Sequence, residues 1–468
     1  MSKPASRSLR ALPAVETLLQ HEALAAVLRD LPRSFAVSAA RAVIADARAA
    51  LAKPRAGSPP SADALAEAAA ALAWRDAMPQ LRRVLNATGI VLHTNLGRAP
   101  LPEAARRAVA EVAAGYSSLE YDLGTGKRGD RGAGVERALA RLTGAQAAAV
   151  VNNGAAAVLL ALSALASGRK VLVSRGELVE IGGAFRVPEI MEKSGATLVE
   201  VGATNRTHLR DYEKALDKHD GVAAILRVHP SNFRIEGFTA RPTLKELAKL
   251  ARAHKLPLIE DLGSGALVDL AEFGLEHEPT VAESLAEGAS VVTCSGDKLL
   301  GGAQAGLVLG DKVWLAKIRK DPFARAMRAD KLALAALEAT LHLYADPERA
   351  KKDIPVLAAL HVSERALTER AERLAHEIAA RVEGVTTKLG KGAGEVGGGS
   401  LPRTLLHGPV VEVAHAKHSA AELERRARAA SPPVIGTVKA NRFRLDPRTL
   451  SESEVGIAAT ALAKVWNA

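Results

Sequence analysis

The run Val291-Val292-Thr293-Cys294 ends in Ser295-Gly296-Asp297-Lys298, followed by Leu299-Leu300 and the pair Gly301-Gly302. A lysine on a surface loop is only a solvated charge. The same amine just beyond a buried strand can act as a nucleophile. Another apolar run ends earlier in Glu260-Asp261, with Leu262-Gly263-Ser264-Gly265 after it. A strand-end carboxylate and a later strand-end Ser-x-x-Lys form the set that an aldehyde cofactor needs. The amine forms a Schiff base, and the acid keeps a pyridine nitrogen protonated. Pyridoxal phosphate meets that description, and its phosphate needs donors. Asn152-Asn153-Gly154-Ala155-Ala156-Ala157 opens a helix on small residues, whose unpaired N–H groups can hold a phosphate together with Ser295. An ordinary capped helix reads the same way, so this cradle carries weight only beside Asp261 and Lys298.

More polar groups follow other apolar runs: Ser174-Arg175-Gly176-Glu177, Gly202-Ala203-Thr204-Asn205-Arg206 and His229-Pro230-Ser231-Asn232. Ligands of open α/β sheets sit beyond the carboxyl ends of the strands, so these segments belong to one candidate site. Arg325 and Arg328 lie three residues apart, on one face if the segment is helical, and paired guanidiniums suit an oxyanion. Arg98 stands in the polar segment His93-Thr94-Asn95-Leu96-Gly97-Arg98. Cys294 is the single cysteine, which excludes an internal disulfide and a multi-cysteine zinc site. It reads as a small buried hydrophobe rather than a catalytic thiol. The histidines show no metal-ligand spacing.

The elements that must position these residues are alternating apolar runs and amphipathic helices. Strands are expected at Ala147–Val151, Lys170–Val173, Thr197–Val201, Val222–Val228, Pro257–Glu260, Ser290–Thr293 and Gly306–Leu309, with helices at Ala155–Ala166, Leu244–His254 and Thr280–Glu287. This is an α/β pattern: a mostly parallel seven-stranded sheet with helices on both faces. Residues 1–80 read as a small helical domain, with a linker or long turn over Lys53–Pro60. Residues 81–145 form a linking arm, 146–330 the large α/β domain, and 331–468 a small α+β domain. That last domain holds a helical stretch over 331–382 broken near Pro347 and Pro355, a glycine-rich segment at 392–399, a hairpin at 433–446 and a closing helix over 453–466.

Composition sets the outer limits. The chain has 468 residues, 48% hydrophobic and 3% aromatic, so the core must be built from Ala, Val and Leu. A formal net charge of +11 favours an anionic partner such as a nucleic acid, a phosphorylated ligand or a membrane surface. The longest uncharged stretch is broken by Gln146, Asn152 and Asn153 and is no membrane span. The N-terminus has no continuous apolar run of a signal peptide, and a cytoplasmic protein is expected.

Four segments together resemble a known family: Asn86–Arg98, Leu119-Glu120-Tyr121-Asp122, Ser174–Gly183 and Ser295–Gly302. They look like the bacterial selenocysteine synthases, fold-type I pyridoxal-phosphate enzymes, and the similarity spans essentially the whole chain. The resemblance implies conversion of L-seryl-tRNA(Sec) to L-selenocysteinyl-tRNA(Sec), by β-elimination of water to an aminoacrylyl intermediate and addition of selenium from selenophosphate. It implies that Lys298 carries the cofactor and acts as base, that Asp261 faces the pyridine nitrogen, and that Asn153, Gly154, Ala155, Ser295 and His229 bind the cofactor. Arg98, Arg325 and Arg328 would hold the selenium donor. Asp297, or another nearby group, would protonate the leaving hydroxyl. The N-terminal helices would bind tRNA, and the chain would form a large homo-oligomer, a decameric ring of dimers, without a membrane. Gly154, Ala203, Pro230 and Ala303 depart from the family pattern (Asn, Thr, Thr and Pro are usual there). Two alternatives remain: a same-fold lyase or transferase acting on a small amino acid or sugar acid without tRNA, and a non-catalytic basic RNA-binding protein.

Overall fold

A computed structural model describes residues 11–53, 58–181, 185–402 and 404–467. The described chain divides into two compact units, Met1–Arg83 and Val84–Ala468. The first is helical: α1 Val15–Leu19, α2 Glu22–Asp30, α3 Arg33–Leu51 and α4 Ala62–Ala77. Leu18, Leu24, Val27, Ala36, Ala40, Ile44, Ala66 and Ala69 form its core, and the many alanines let the helices approach closely. Ser61 starts α4 by accepting a hydrogen bond from the Ala64 N–H at 3.1 Å. Of the linker segment Lys53–Pro60, residues 54–57 lie outside the described residues, as do residues 1–10.

Near the start of the second unit, after a two-residue strand Leu85–Asn86 paired with Val434–Ile435, comes strand β1, Ile90–Leu92. Its main sheet has seven strands: β2 Ala147–Val151, β3 Lys170–Ser174, β4 Thr197–Val201, β5 Val222–Val228, β6 Leu258–Gly263, β7 Val291–Ser295 and β8 Gly306–Gly310. Their order is β2-β8-β7-β6-β5-β3-β4, and only β8 runs against its neighbours. The pleat sends alternate residues to opposite faces. Leu172, Ile225, Leu258, Val292 and Leu307 join one apolar cluster, while Val171, Leu226, Ile259, Val291 and Val308 join the other. Helix α5, Gly154–Ala166, covers the second face with Ala157, Leu160, Ala161 and Leu162. Helices at Leu244–Ala253 and Lys331–Leu343 cover the first with Leu247, Ala251, Leu334 and Leu337. Both faces are dry, which is why the strands read as unbroken apolar runs.

A smaller sheet holds β9 Val385–Gly397, β10 Leu405–His415, β11 Thr437–Lys439 and β12 Arg442–Leu445, in the order β11-β12-β10-β9-β1. Strand β1 therefore leaves the arm segment and lies parallel to β9, with Ile90 opposite Glu395 and Leu92 opposite Gly397. Of the glycine-rich segment that the sequence places among short strands and turns, residues 392–397 belong to the 13-residue strand β9, and Gly398 and Gly399 form the turn after it. Its glycines give room there: a Cβ on Gly394 would stand 2.5 Å from the Gly89 carbonyl oxygen. Ala440 and Asn441, at φ 49° and 55°, make the tight turn between β11 and β12. The helical stretch after Lys331 is interrupted before Pro347 and Pro355, where each proline opens a new helix.

Two stability effects follow. Leu226 is fully buried in the sheet, so Leu226→Ala is expected to lower the unfolding free energy by about 2–5 kcal/mol, read by urea denaturation. Glu177 is buried just after β3, and its Oε2 accepts the Val228 N–H at 3.0 Å. Burial raises its carboxyl from 4.5 to about 7. Between those pH values the folded chain keeps a proton that the unfolded chain has lost. This contribution is complete below 4.5 and fades as pH climbs through about 7. Glu177→Gln is expected to abolish that fall, on the order of 3 kcal/mol in denaturation free energies measured between pH 5 and 8.

Candidate active site

Strand pairing brings the candidate residues to one edge of the main sheet. Asp261 on β6 stands opposite Thr293 on β7 and opposite Val228 on β5. Beyond β7 the chain makes a tight turn that aims Lys298 back over the strand ends. The turn is held by Gly296 N–H to the Ala305 carbonyl at 2.9 Å, Gly302 N–H to Gly296 at 2.8 Å, and Leu299 N–H to Ser264 at 3.0 Å. Its glycines are a packing requirement. A Cβ on Gly296 would stand 2.7 Å from the Ala303 oxygen, and one on Gly301 would meet Ile354 at 2.3 Å.

Lys298 is buried. Burial pushes its amine below the ordinary lysine range, the Asp261 charge pulls it back up, and Arg98 pushes it further down. A buried, less basic amine is the reactive form. Asp261 moves the opposite way: burial raises its carboxyl, against the Thr293 hydroxyl, Lys298 and His229, which favour the ionised form. Thr293 Oγ1 donates to Asp261 Oδ1 at 2.9 Å. Gly399, at φ +85°, packs directly on the lysine, and a Cβ there would fall 2.6 Å from Nζ.

Asp297, next to Lys298, accepts a hydrogen bond from Arg98 Nη1 at 2.8 Å. Arg98 adopts a left-handed backbone at φ 59°, with its N–H on the His93 carbonyl at 3.1 Å. A non-glycine residue at positive φ is uncommon, and here it turns the guanidinium onto Asp297. On the other side, Asn153 caps α5 by accepting the Ala156 N–H at 2.9 Å. Gly154 and Ala155 open that helix, with no intrahelical acceptor for their N–H groups. Ser295 lies against Gly154: a Cβ there would stand 2.4 Å from Ser295 Oγ. Asn at this position, the usual family residue, would require that hydroxyl to turn away.

The three arginines are held separately. The helix Pro322–Ala326 ends before Arg328, so the one-face spacing does not apply. Arg325 is exposed in its last turn. Arg328 forms a β-bridge with Val151, beside the Asn152–Gly154 loop, and its Nη1 lies 3.3 Å from Glu120 Oε1. Glu120 also takes Arg128 at 2.9 Å and Arg131 at 3.4 Å. Glu120, Thr293 and Gly399 were not candidates from residue type. Thr293 becomes visible only through its register with Asp261, and Gly399 through its positive φ. Cys294 is buried, its thiol pushed up to about 12 by burial, which leaves it unreactive.

A cleft of about 680 Å³ opens beside Gly399 and is also lined by His93, Asn95, Ser231, Asn232 and Thr404. His93 Nδ1, Ser231 Oγ and Thr404 Oγ1 are buried without a hydrogen-bond partner among the described residues. Orphaned polar atoms around a cleft fit a polar ligand. Among the described residues no cluster of His, Cys, Asp or Glu could hold a metal ion, and no helix is long and apolar enough to cross a membrane.

Comparisons with known proteins identify the family. Residues 84–451 match the L-seryl-tRNA selenium transferase family, and residues 9–48 match the selenocysteine synthase N-terminal family. The L-seryl-tRNA(Sec) selenium transferase of Nitratidesulfovibrio vulgaris is 48% identical, with 98% of each chain covered. That of Geotalea daltonii is 47% identical, covering 97% of this chain and 98% of the relative. Among solved structures, a D-glucosaminate-6-phosphate ammonia-lyase superposes with a TM-score of 0.55 at 21% identity, over 82% of this chain and 96% of that one. The fold is that of the fold-type I pyridoxal-phosphate enzymes. With Lys298 and the strand-end Asp261 inside the first matched segment and helices α1 and α2 inside the second, the chain belongs to the L-seryl-tRNA(Sec) selenium transferase family.

Proposed function

We propose that this protein converts L-seryl-tRNA(Sec) to L-selenocysteinyl-tRNA(Sec), using pyridoxal phosphate and selenophosphate. The observation that carries this reading is the buried Lys298 amine beside Asp261, in a chain whose relatives bear that activity in their names. Pyridoxal phosphate, when bound, supplies an aldehyde for an amine and a ring that accepts the electron pair of a broken Cα–H bond. Lys298 would carry it, with Asp261 toward its ring nitrogen and His229 nearby. The opening N–H groups of α5 at Gly154 and Ala155, capped by Asn153, would hold its phosphate together with Ser295. The close seating of Ser295 on Gly154 and the orphaned polar atoms of the cleft support this fit.

The remaining steps belong to the chain's own residues. The Lys298 amine, less basic than an ordinary lysine, would take the Cα proton as general base. The serine hydroxyl leaves as water, with Asp297 as the group that would deliver the proton; selenium then adds at the β-carbon, and water breaks its bond to phosphorus so that phosphate leaves. Lys298 returns its proton to Cα. Arg98, Arg328 and Arg325 would bind the donor by charge-assisted hydrogen bonds. For Arg98 that means exchanging Asp297 for the incoming anion, which frees the carboxyl at the moment the donor arrives. The N-terminal unit would take the tRNA by shape and backbone, and the +11 charge favours that polyanion. Exposed Tyr116, Tyr121 and Leu123 fit a homo-oligomeric assembly, with a decameric ring as the expected form.

Purified protein is expected to absorb in the Schiff-base region, and borohydride should fix the cofactor to Lys298. Lys298→Ala should lose both signals and lower selenium transfer to seryl-tRNA(Sec) by about 10²–10⁴-fold or more. No product from fully loaded wild-type protein would sink the reading. Arg98→Ala and Arg328→Ala should each raise the KM for selenophosphate about tenfold or more while leaving the absorbance intact. An unchanged KM in both would remove these residues from the donor site.

A further inference from the structure

Glu278 lies in the turn before the helix Val281–Glu287, with a side chain only 3% exposed. Its Oε1 is 3.3 Å from His229 Nε2 and makes no hydrogen bond to any described residue. A buried carboxylate is costly unless it is paired, and the pairing found here is the imidazole. The turn does not need Glu278 for its own shape. His277 Nδ1 ties it to Asp269 at 3.0 Å, and Thr280 and Glu283 form a capping box at its end. His229 begins at the end of β5, and its N–H donates to the Asp261 carbonyl at 2.9 Å. Its ring is one of three groups that favour the Asp261 carboxylate over its acid form, with Thr293 and Lys298. Lys298 cannot serve steadily in that role, because the reaction consumes its amine in bonding and in proton transfer. Thr293 contributes a neutral hydroxyl. His229 is the one of the three whose ring is itself held by a second buried group, Glu278.

We propose that Glu278 is a positioning residue that orients the His229 ring at the strand end beside Asp261 and the cofactor's ring nitrogen. The role rests on the function proposed above. Other groups facing this chain of charges are Glu260, which opposes ionisation of Asp261, and the thiol of Cys294. Releasing the His229 ring weakens its favourable interaction with the Asp261 carboxylate, and activity on the acid side is lost at a higher pH.

The test uses full-length, cofactor-loaded protein. Glu278→Gln is expected to move the acid-side midpoint of kcat up by about one pH unit and to lower kcat about tenfold, with KM for seryl-tRNA(Sec) within about twofold. Borohydride-fixable absorbance stays, and Glu278→Asp recovers most of the loss. His229→Gln shifts the midpoint the same way, and the double variant is no worse than His229→Gln alone, because both act on one path. An unmoved midpoint in Glu278→Gln, or additive losses in the double variant, overturns the proposal. So does a variant whose only defects are a lower melting temperature and lost cofactor, which is plain structural support. Wild-type protein that binds no cofactor overturns the functional reading and this role with it. A normal wild type beside an unaffected Gln variant overturns only the role.

Discussion

Holding an amine and a carboxylate out of water on adjacent strand ends is the constraint on which this molecule is organised. Lys298 and Asp261 are both buried, and burial drives each toward its neutral form. Two charges taken from water cost several kcal/mol unless neighbours compensate. The compensation is local: the Thr293 hydroxyl on one carboxylate oxygen, the Arg98–Asp297 pair beside the lysine, and His229 at the next strand end. The balance leaves the amine less basic than a fully solvated lysine.

That balance needs positional accuracy, and the sheet supplies it. Asp261 is fixed by its β6 pairing with β5 and β7, and Lys298 by a turn whose glycines pack against the neighbouring backbone and Ile354. The small sheet contributes from the opposite direction. It captures β1 beside β9, so that His93–Arg98 at the end of β1 and Gly399 beyond β9 come to the same lysine. Residues separated by two hundred and three hundred positions thus meet through two sheets within one unit. Arg98 and Arg328 each rest on an acid, Asp297 and Glu120, so neither guanidinium is left idle in a partly buried setting.

Much of this was legible in the residues. The seven apolar runs are the seven strands of the main sheet, because a sheet covered on both faces demands continuous hydrophobic strands whose period needs no decoding. Ser61, Thr280 and Ser363 cap helices where the sequence permits them. Less visible was the glycine-rich stretch before Gly399: local propensity reads it as turns, and only the close backbone of the β1 segment makes it a strand. The spacing of Arg325 and Arg328 misled for a related reason. A helix stop at Ala326 is set by backbone pairing with Val151, which no local pattern announces.

By itself the sequence determined the α/β class, the strands and the positions of a lysine and an aspartate at strand ends, since these depend on short-range hydrophobic pattern and on residue chemistry. The tertiary structure alone decided who faces whom: Thr293 on Asp261, Arg98 on Asp297, Glu278 on His229, and a glycine against the amine. The reason is physical. Pattern reports which side of a strand is dry, whereas electrostatics and close packing depend on register between strands that are distant in the chain.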